Sequence, residues 1–146
     1  MNLIENYTQN EAVIESLEKE TRANRATVLA VDDSEMMRML LESTLAQSPY
    51  NLVLAEDGVD GVAKFKANEI DIVVTDINMP EMDGITLIKE IRELDGEVPI
   101  LTLTTESEEA LKQAGARAGA NGWIVKPMYP QQFLDLLEQI IGAPRG

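Results

Sequence analysis

The chain has 146 residues and 45% hydrophobic content, enough for one folded domain with a proper core and too apolar for general disorder. It contains neither cysteine nor histidine, which excludes disulfides, thiolate or imidazole metal sites and any catalysis built on a histidine base. The net charge of −14, from 26 acidic against 12 basic residues, speaks against nucleic acid or an anionic membrane as direct partner, because phosphate binding needs a basic patch.

No apolar run approaches the ~20 residues of a membrane span. The N-terminus lacks the basic-then-apolar order of a secretory signal, so a cytoplasmic location is expected. Residues 1–26 are polar, with five Glu against three basic residues and only sparse apolar positions at Ile4, Val13, Ile14 and Leu17. Asn10 is placed to cap a helix from Glu11 to about Arg22, with Val13 and Leu17 on one face. The expected organisation is therefore an N-terminal extension over 1–26, partly helical and outside the core, followed by a folded domain over 27–146.

From Thr27 the pattern becomes regular. Thr27–Val31 reads as an apolar strand ending in Asp32-Asp33, and Ser34 is a good N-cap for a helix. Met37, Leu40, Leu41, Thr44 and Leu45 form that helix's apolar stripe. Ser48-Pro49-Tyr50-Asn51 breaks it before a second strand, Leu52–Ala55. Asp57-Gly58 reads as a turn, and Val59, Val62 and Phe65 as the stripe of a short helix ending near Asn68. Ile72-Val73-Val74 is a β-branched run of the kind buried on both faces of a parallel sheet, and it leads into Asp76. Ile85, Ile88 and Ile91 line a third helix, stopped at Asp95-Gly96. Pro99 precedes a fourth strand, Ile100–Thr104. Residues 107–118 form a fourth helix rich in Ala and Gly, Gly122–Val125 a fifth strand ending at Lys126-Pro127, and Phe133 to Ile141 the stripe of a last helix. Five strands alternating with five helices predict an α/β fold, a doubly wound five-stranded parallel sheet covered on both faces.

The polar residues fall at particular places. Asp32 and Asp33 follow strand one, Asp76 ends strand three, Thr104 ends strand four and Lys126 ends strand five. All strand C-termini of a parallel sheet lie on one edge, where open α/β folds place their sites. Each group has an ordinary structural reading alone, but together they converge. Carboxylates ~4 Å apart repel by about 4 kcal/mol per pair at an effective dielectric of ~20. Lys126 is the one cationic side chain expected at the rim, so a hard divalent ion with oxygen ligands, Mg²⁺, would resolve the imbalance. A metal flanked by a lysine and a hydroxyl is a phosphoryl-binding arrangement. Asp76 is then either a metal ligand only or also the nucleophile.

Val31-Asp32-Asp33-Ser34, Asp76 with Met79-Pro80-Glu81-Met82-Asp83-Gly84, Thr104 and Lys126-Pro127 resemble, in order, the motifs of response-regulator receiver domains of two-component systems. More narrowly, Asp76–Pro80, Thr104-Thr105-Glu106-Ser107 and Gly122–Pro127 resemble the single-domain chemotaxis regulators, which are CheY-like and of flavodoxin-like fold. The resemblance implies that Asp76 accepts a phosphoryl group from a sensor histidine kinase, making the chain a stoichiometric phosphoacceptor with self-catalysed phosphorylation and dephosphorylation rather than an enzyme. It further implies that Asp33, Asp76 and the Asn78 carbonyl hold Mg²⁺, with Asp32 acting mainly through water. Lys126 and Thr104 would engage the phosphoryl oxygens, Trp123 would be the aromatic switch, and Asn78 and Glu106 would tune hydrolysis. The Lys126–Pro127 peptide would be cis, and signalling would proceed by binding a downstream protein such as the flagellar motor switch. Thr105 departs from the small residue many members carry there, and the N-terminal extension exceeds a minimal receiver. Two alternatives are a receiver domain belonging to a larger phosphorelay protein and a Mg²⁺-dependent phosphatase of the haloacid-dehalogenase type with an aspartyl nucleophile. The latter family carries an Asp-x-Asp pair, whereas Asp32 and Asp33 are adjacent here.

Overall fold

The computed structural model describes residues 25–79, 82–105 and 109–142. The helix expected over Glu11–Arg22 and Glu106, expected to tune hydrolysis, lie outside those residues. Five strands alternate with five helices: β1 (Thr27–Val31), α1 (Glu35–Ala46), β2 (Asn51–Ala55), α2 (Gly58–Ala67), β3 (Ile72–Asp76), α3 (Gly84–Leu94), β4 (Ile100–Thr104), α4 (Glu109–Ala118), β5 (Gly122–Val125) and α5 (Pro130–Ile141). The sheet is wholly parallel, in the order β2-β1-β3-β4-β5. The order reverses at β1, whose two neighbours are β2 and β3.

Alternation along each strand divides the apolar residues between two faces. One core joins Val28, Ala30, Ile72, Val74, Leu101 and Leu103 to Leu41 and Leu45 of α1 and to Phe133 and Leu137 of α5. The other joins Leu29, Val31, Val73 and Ile100 to Leu87, Ile88 and Ile91 of α3 and to Ala118 of α4. Every residue of β3 and β4 is buried. The edge strand β5 alternates half-buried and exposed residues, and β2 is half-buried up to Ala55. Each fully buried Leu or Ile contributes roughly 1.5–3 kcal/mol of transfer free energy, so the two cores anchor β1, β3 and β4 most firmly.

Short caps turn the chain from strand to helix on the carboxyl edge. The Ser34 hydroxyl accepts from the Met37 amide (3.2 Å), Asp57 from Asp60 (2.8 Å) and Asp83 from Thr86 (2.8 Å). Each such cap is worth about 1 kcal/mol.

The structure corrects three local expectations. Asp57-Gly58 is a helix start rather than a turn, with Asp57 as N-cap and Gly58 the first residue of α2. In consequence the covered stripe runs Gly58, Gly61, Val62, Phe65, and Val59 falls beside it, 54% exposed. Strand β2 also begins one residue earlier than expected, at Asn51, whose amide donates to the Ala26 carbonyl (2.9 Å).

Candidate functional site at the carboxyl edge of the sheet

The connection β1–α1 places Asp32 and Asp33 beside the end of β3. Asp32 is 1% exposed and Asp76 7%, whereas Asp33 is exposed. One carboxylate oxygen from each of the three lies within 4.8 Å of the others. Asp32 is held by its own helix start. The Ser34 amide donates to Asp32 Oδ1 (2.9 Å), and the Arg38 guanidinium donates to the Asp32 carbonyl (2.7 Å).

Lys126 arrives from the end of β5, its backbone amide donating to the Thr104 carbonyl (2.7 Å). The Lys126–Pro127 peptide is cis. Its ammonium lies 3.0 Å from Asp32 Oδ2 and 3.4 Å from Asp76 Oδ2. The contact with Asp32 is close enough for an ion pair, yet no hydrogen-bond donor is aligned on that buried oxygen. The Asn78 amide donates weakly to Asp76 Oδ1 (3.4 Å). Thr104 closes β4 at 2% exposure, paired in register with Val125. Trp123 is 44% exposed, and Thr105 is exposed as well.

Burial pushes the Asp76 carboxyl above the ordinary carboxylate range; Lys126 pulls it back, and the Asp32 charge adds to the rise. Burial alone would lower the Lys126 ammonium, but the pairing with Asp32 and then Asp76 prevails and raises it. Lys126 is therefore a fixed positive charge shared by two carboxylates.

The donor set suits a hard divalent cation. It offers oxygens only, with two carboxylates buried and a third at the mouth, and no hydrogen-bond donor is aligned on Asp32 Oδ2. Mg²⁺ fits this chemistry better than softer metals.

A sequence profile described as response regulator receiver domain matches residues 28–138. This chain belongs to the receiver-domain family. Its receiver domain is similar to the chemotaxis protein CheY1 of Helicobacter pylori, 41% identical over 120 residues, which are 80% of this chain and 97% of the relative. Among solved structures it is similar to the chemotaxis protein CheY4 of Vibrio cholerae, at 39% identity and TM-score 0.76, over 80% of this chain and 98% of that one. It is also similar to the CheY of Borrelia burgdorferi solved with CheX, BeF₃ and Mg²⁺, at 33% identity and TM-score 0.74, over 79% and 88% of the two chains. The receiver is thus CheY-like, and the doubly wound sheet expected for the family is the one observed.

Of the residues singled out in the sequence, this receiver brings Asp32, Asp33, Asp76 and Lys126 together at the rim. Thr104 ends the neighbouring strand, Asn78 follows Asp76, and Trp123 stands on the outer edge strand. The sequence gives no individual role to Arg38 or Gly84. Arg38 lies off the apolar stripe of its helix, and only its contact with the Asp32 carbonyl marks it. Gly84 enters the sequence reading only as the last residue of the Met79–Gly84 motif. A Cβ there would run into the Asp76 carbonyl oxygen and come within 2.7 Å of the Ile77 Cα. The loop behind Asp76 can fold back, with the Gly84 amide donating to the Ile77 carbonyl (2.8 Å), only because that atom is absent.

Proposed function

We propose that this receiver is a phosphorylation-activated regulator of a two-component chemotaxis pathway, accepting a phosphoryl group on Asp76 from a sensor histidine kinase. The observation that carries the reading is the rim itself: three carboxylates within 4.8 Å, one lysine bridging two of them, and a buried carboxylate oxygen with no aligned donor. Such a site is poised to receive an anion once its own charge is offset. The CheY-like relatives support the same reading.

In this mechanism an Asp76 oxygen forms the new bond to phosphorus while the donor's P–N bond breaks, and the departing imidazole keeps the electron pair. Asp33, Asp76 and the Asn78 carbonyl would hold Mg²⁺, with Asp32 acting mainly through water. When bound, the ion supplies charge neutralisation for the incoming phosphoryl oxygens. The neighbour solved with BeF₃ and Mg²⁺ supports that metal. Lys126 has its ammonium already placed against Asp76, and turning it toward the new oxygens would replace one anionic partner by another. The Thr104 hydroxyl would donate to the same oxygens, drawing β4 toward Asp76. Trp123 would then move inward beside Thr104, while Asn78 and Glu106 would flank the acyl phosphate and set its hydrolysis.

Signal output would follow from the changed outer face. Trp123, Val125 and Tyr129 are exposed there, beside a groove of about 290 Å³ lined also by Phe133 and Leu136. A downstream protein, the flagellar motor switch in the chemotaxis reading, would bind that face. The chain acts stoichiometrically, the receiver from Thr27 onward carries this function, and the cytoplasm is its location. No helix among the described residues is long and apolar enough to cross a membrane.

The test uses acetyl phosphate with Mg²⁺. One added phosphoryl mass and a change in fluorescence of Trp123, the only tryptophan, are expected, and both should vanish in Asp76→Asn. Chelation with EDTA or the change Asp33→Asn should slow phosphorylation by at least tenfold. Mass gain that persists in Asp76→Asn would overturn the assignment.

A further inference from the structure

In its exposed position Trp123 makes a contact that the mechanism above does not use. Lys112 Nζ lies 4.6 Å from the centroid of the Trp123 ring, inside the ~6 Å at which an ammonium is attracted to an aromatic face. Indole is the strongest of the aromatic partners for a cation. The two residues come from adjacent elements: Lys112 from α4, Trp123 from the edge strand β5, where it pairs in register with Thr102.

The surroundings make the contact consequential. A large apolar ring that is 44% exposed leaves area in water that an inward position would bury. Gly115 and Ala116 follow Lys112 at the spacing that shares its helix face. With Thr102, Ala120 and Gly122 they leave a gap of about 40 Å³ beside the ring. Bulk on α4 therefore does not wedge the ring outward, and the ammonium is the polar partner that offsets its exposure.

We infer that Lys112 is a positioning residue for the switch: its charge latches Trp123 in the outward state, and removing that charge moves the ring toward the inward, phosphorylated arrangement. The inference rests on the role given to Trp123 above, but the latch can be read without any phosphorylation.

Trp123 can be labelled as 5-fluorotryptophan in the full chain, where it gives a single ¹⁹F reporter. Without a phosphodonor, Lys112→Met and Lys112→Gln should each raise the population of the inward ring by about two- to fivefold, the range an exposed cation–ring contact supports. Lys112→Arg, which keeps a cation over the ring, should restore the wild-type spectrum. Half-maximal response to acetyl phosphate should then need about two- to fivefold less donor in Lys112→Met than in wild type. A merely structural lysine would change the melting temperature without this pattern. A Lys112→Met spectrum equal to wild type, or an Arg variant that fails to restore it, overturns the latch. A latch seen in the ¹⁹F spectra of variants that acquire no phosphoryl mass would stand, and the phosphorylation reading would fall instead.

Discussion

Asp76 is held in a place that costs the fold something. Its carboxyl is raised above the usual range, chiefly by burial and further by Asp32, with Lys126 opposing. A carboxyl whose folded pKa exceeds its unfolded one is destabilising when ionised, and the penalty disappears as pH falls through the folded value. Asp76→Asn should therefore raise the melting temperature at pH 7 in metal-free buffer, and the gap from wild type should close on acidification. A pH-independent gap, followed by circular dichroism from pH 7 to pH 4, would contradict this. On the proposed mechanism, the same shift means that the attacking carboxylate forms at higher pH than an ordinary Asp allows. At this scale the residue types were legible from the sequence: acids, a lysine and a hydroxyl at strand ends. Their pairing was not, since only the fold shows that Lys126 bridges Asp32 and Asp76 rather than facing solvent.

The strand-to-helix connections carry the site, and their demands differ along the chain. In β3–α3 the helix start is pulled against the strand end, and Gly84 has no space for a Cβ next to the Asp76 and Ile77 backbone. Gly84→Ala should destabilise by about 1–3 kcal/mol, as overpacking against backbone does, and should slow phosphorylation because Asp76 shifts with it. Gly115 in α4 is the opposite case. A Cβ there would meet Thr102 Cγ2 at 3.7 Å and the Ala120 Cβ at 3.9 Å, ordinary contact distances. Gly115→Ala should stabilise by about 0.5–1 kcal/mol, because alanine loses less chain entropy in a helix. Urea unfolding of the two variants checks both signs. Periodicity showed that these helices exist, but Asp57-Gly58, a dipeptide common in turns, is an N-cap and a first helical residue. Capping and turning use the same side-chain hydrogen bond, and only the packing of α2 against Met82 and Val31 distinguishes them.

Across the molecule, a single sheet is shared by two cores, one on each face. Leu137 of α5 and Ile88 of α3 are both fully buried, on opposite faces. Leu137→Ala and Ile88→Ala should each cost about 2–5 kcal/mol. Since both faces lean on β1, β3 and β4, each variant should still unfold in one transition, with Trp123 fluorescence and far-ultraviolet circular dichroism coincident. Separate midpoints for the two probes would show that the edge strand β5 melts independently of the central strands.

Sequence alone determined the alternation of strands and helices, the exclusion of histidine and thiol chemistry, and the gathering of acidic groups at the ends of strands. These follow from local composition and from the two-residue and 3.6-residue periods, which need no knowledge of neighbours in space. The tertiary structure decided the rest: which oxygens face Lys126, that Gly84 lies against the strand it follows, and that Lys112 reaches the ring of Trp123. Those contacts join residues from different elements of the chain, and their geometry is set by how α3, α4 and β5 pack on the sheet. The acids that open and close the rim could be read from the chain, whereas the arrangement that makes them act together exists only once the strands are side by side.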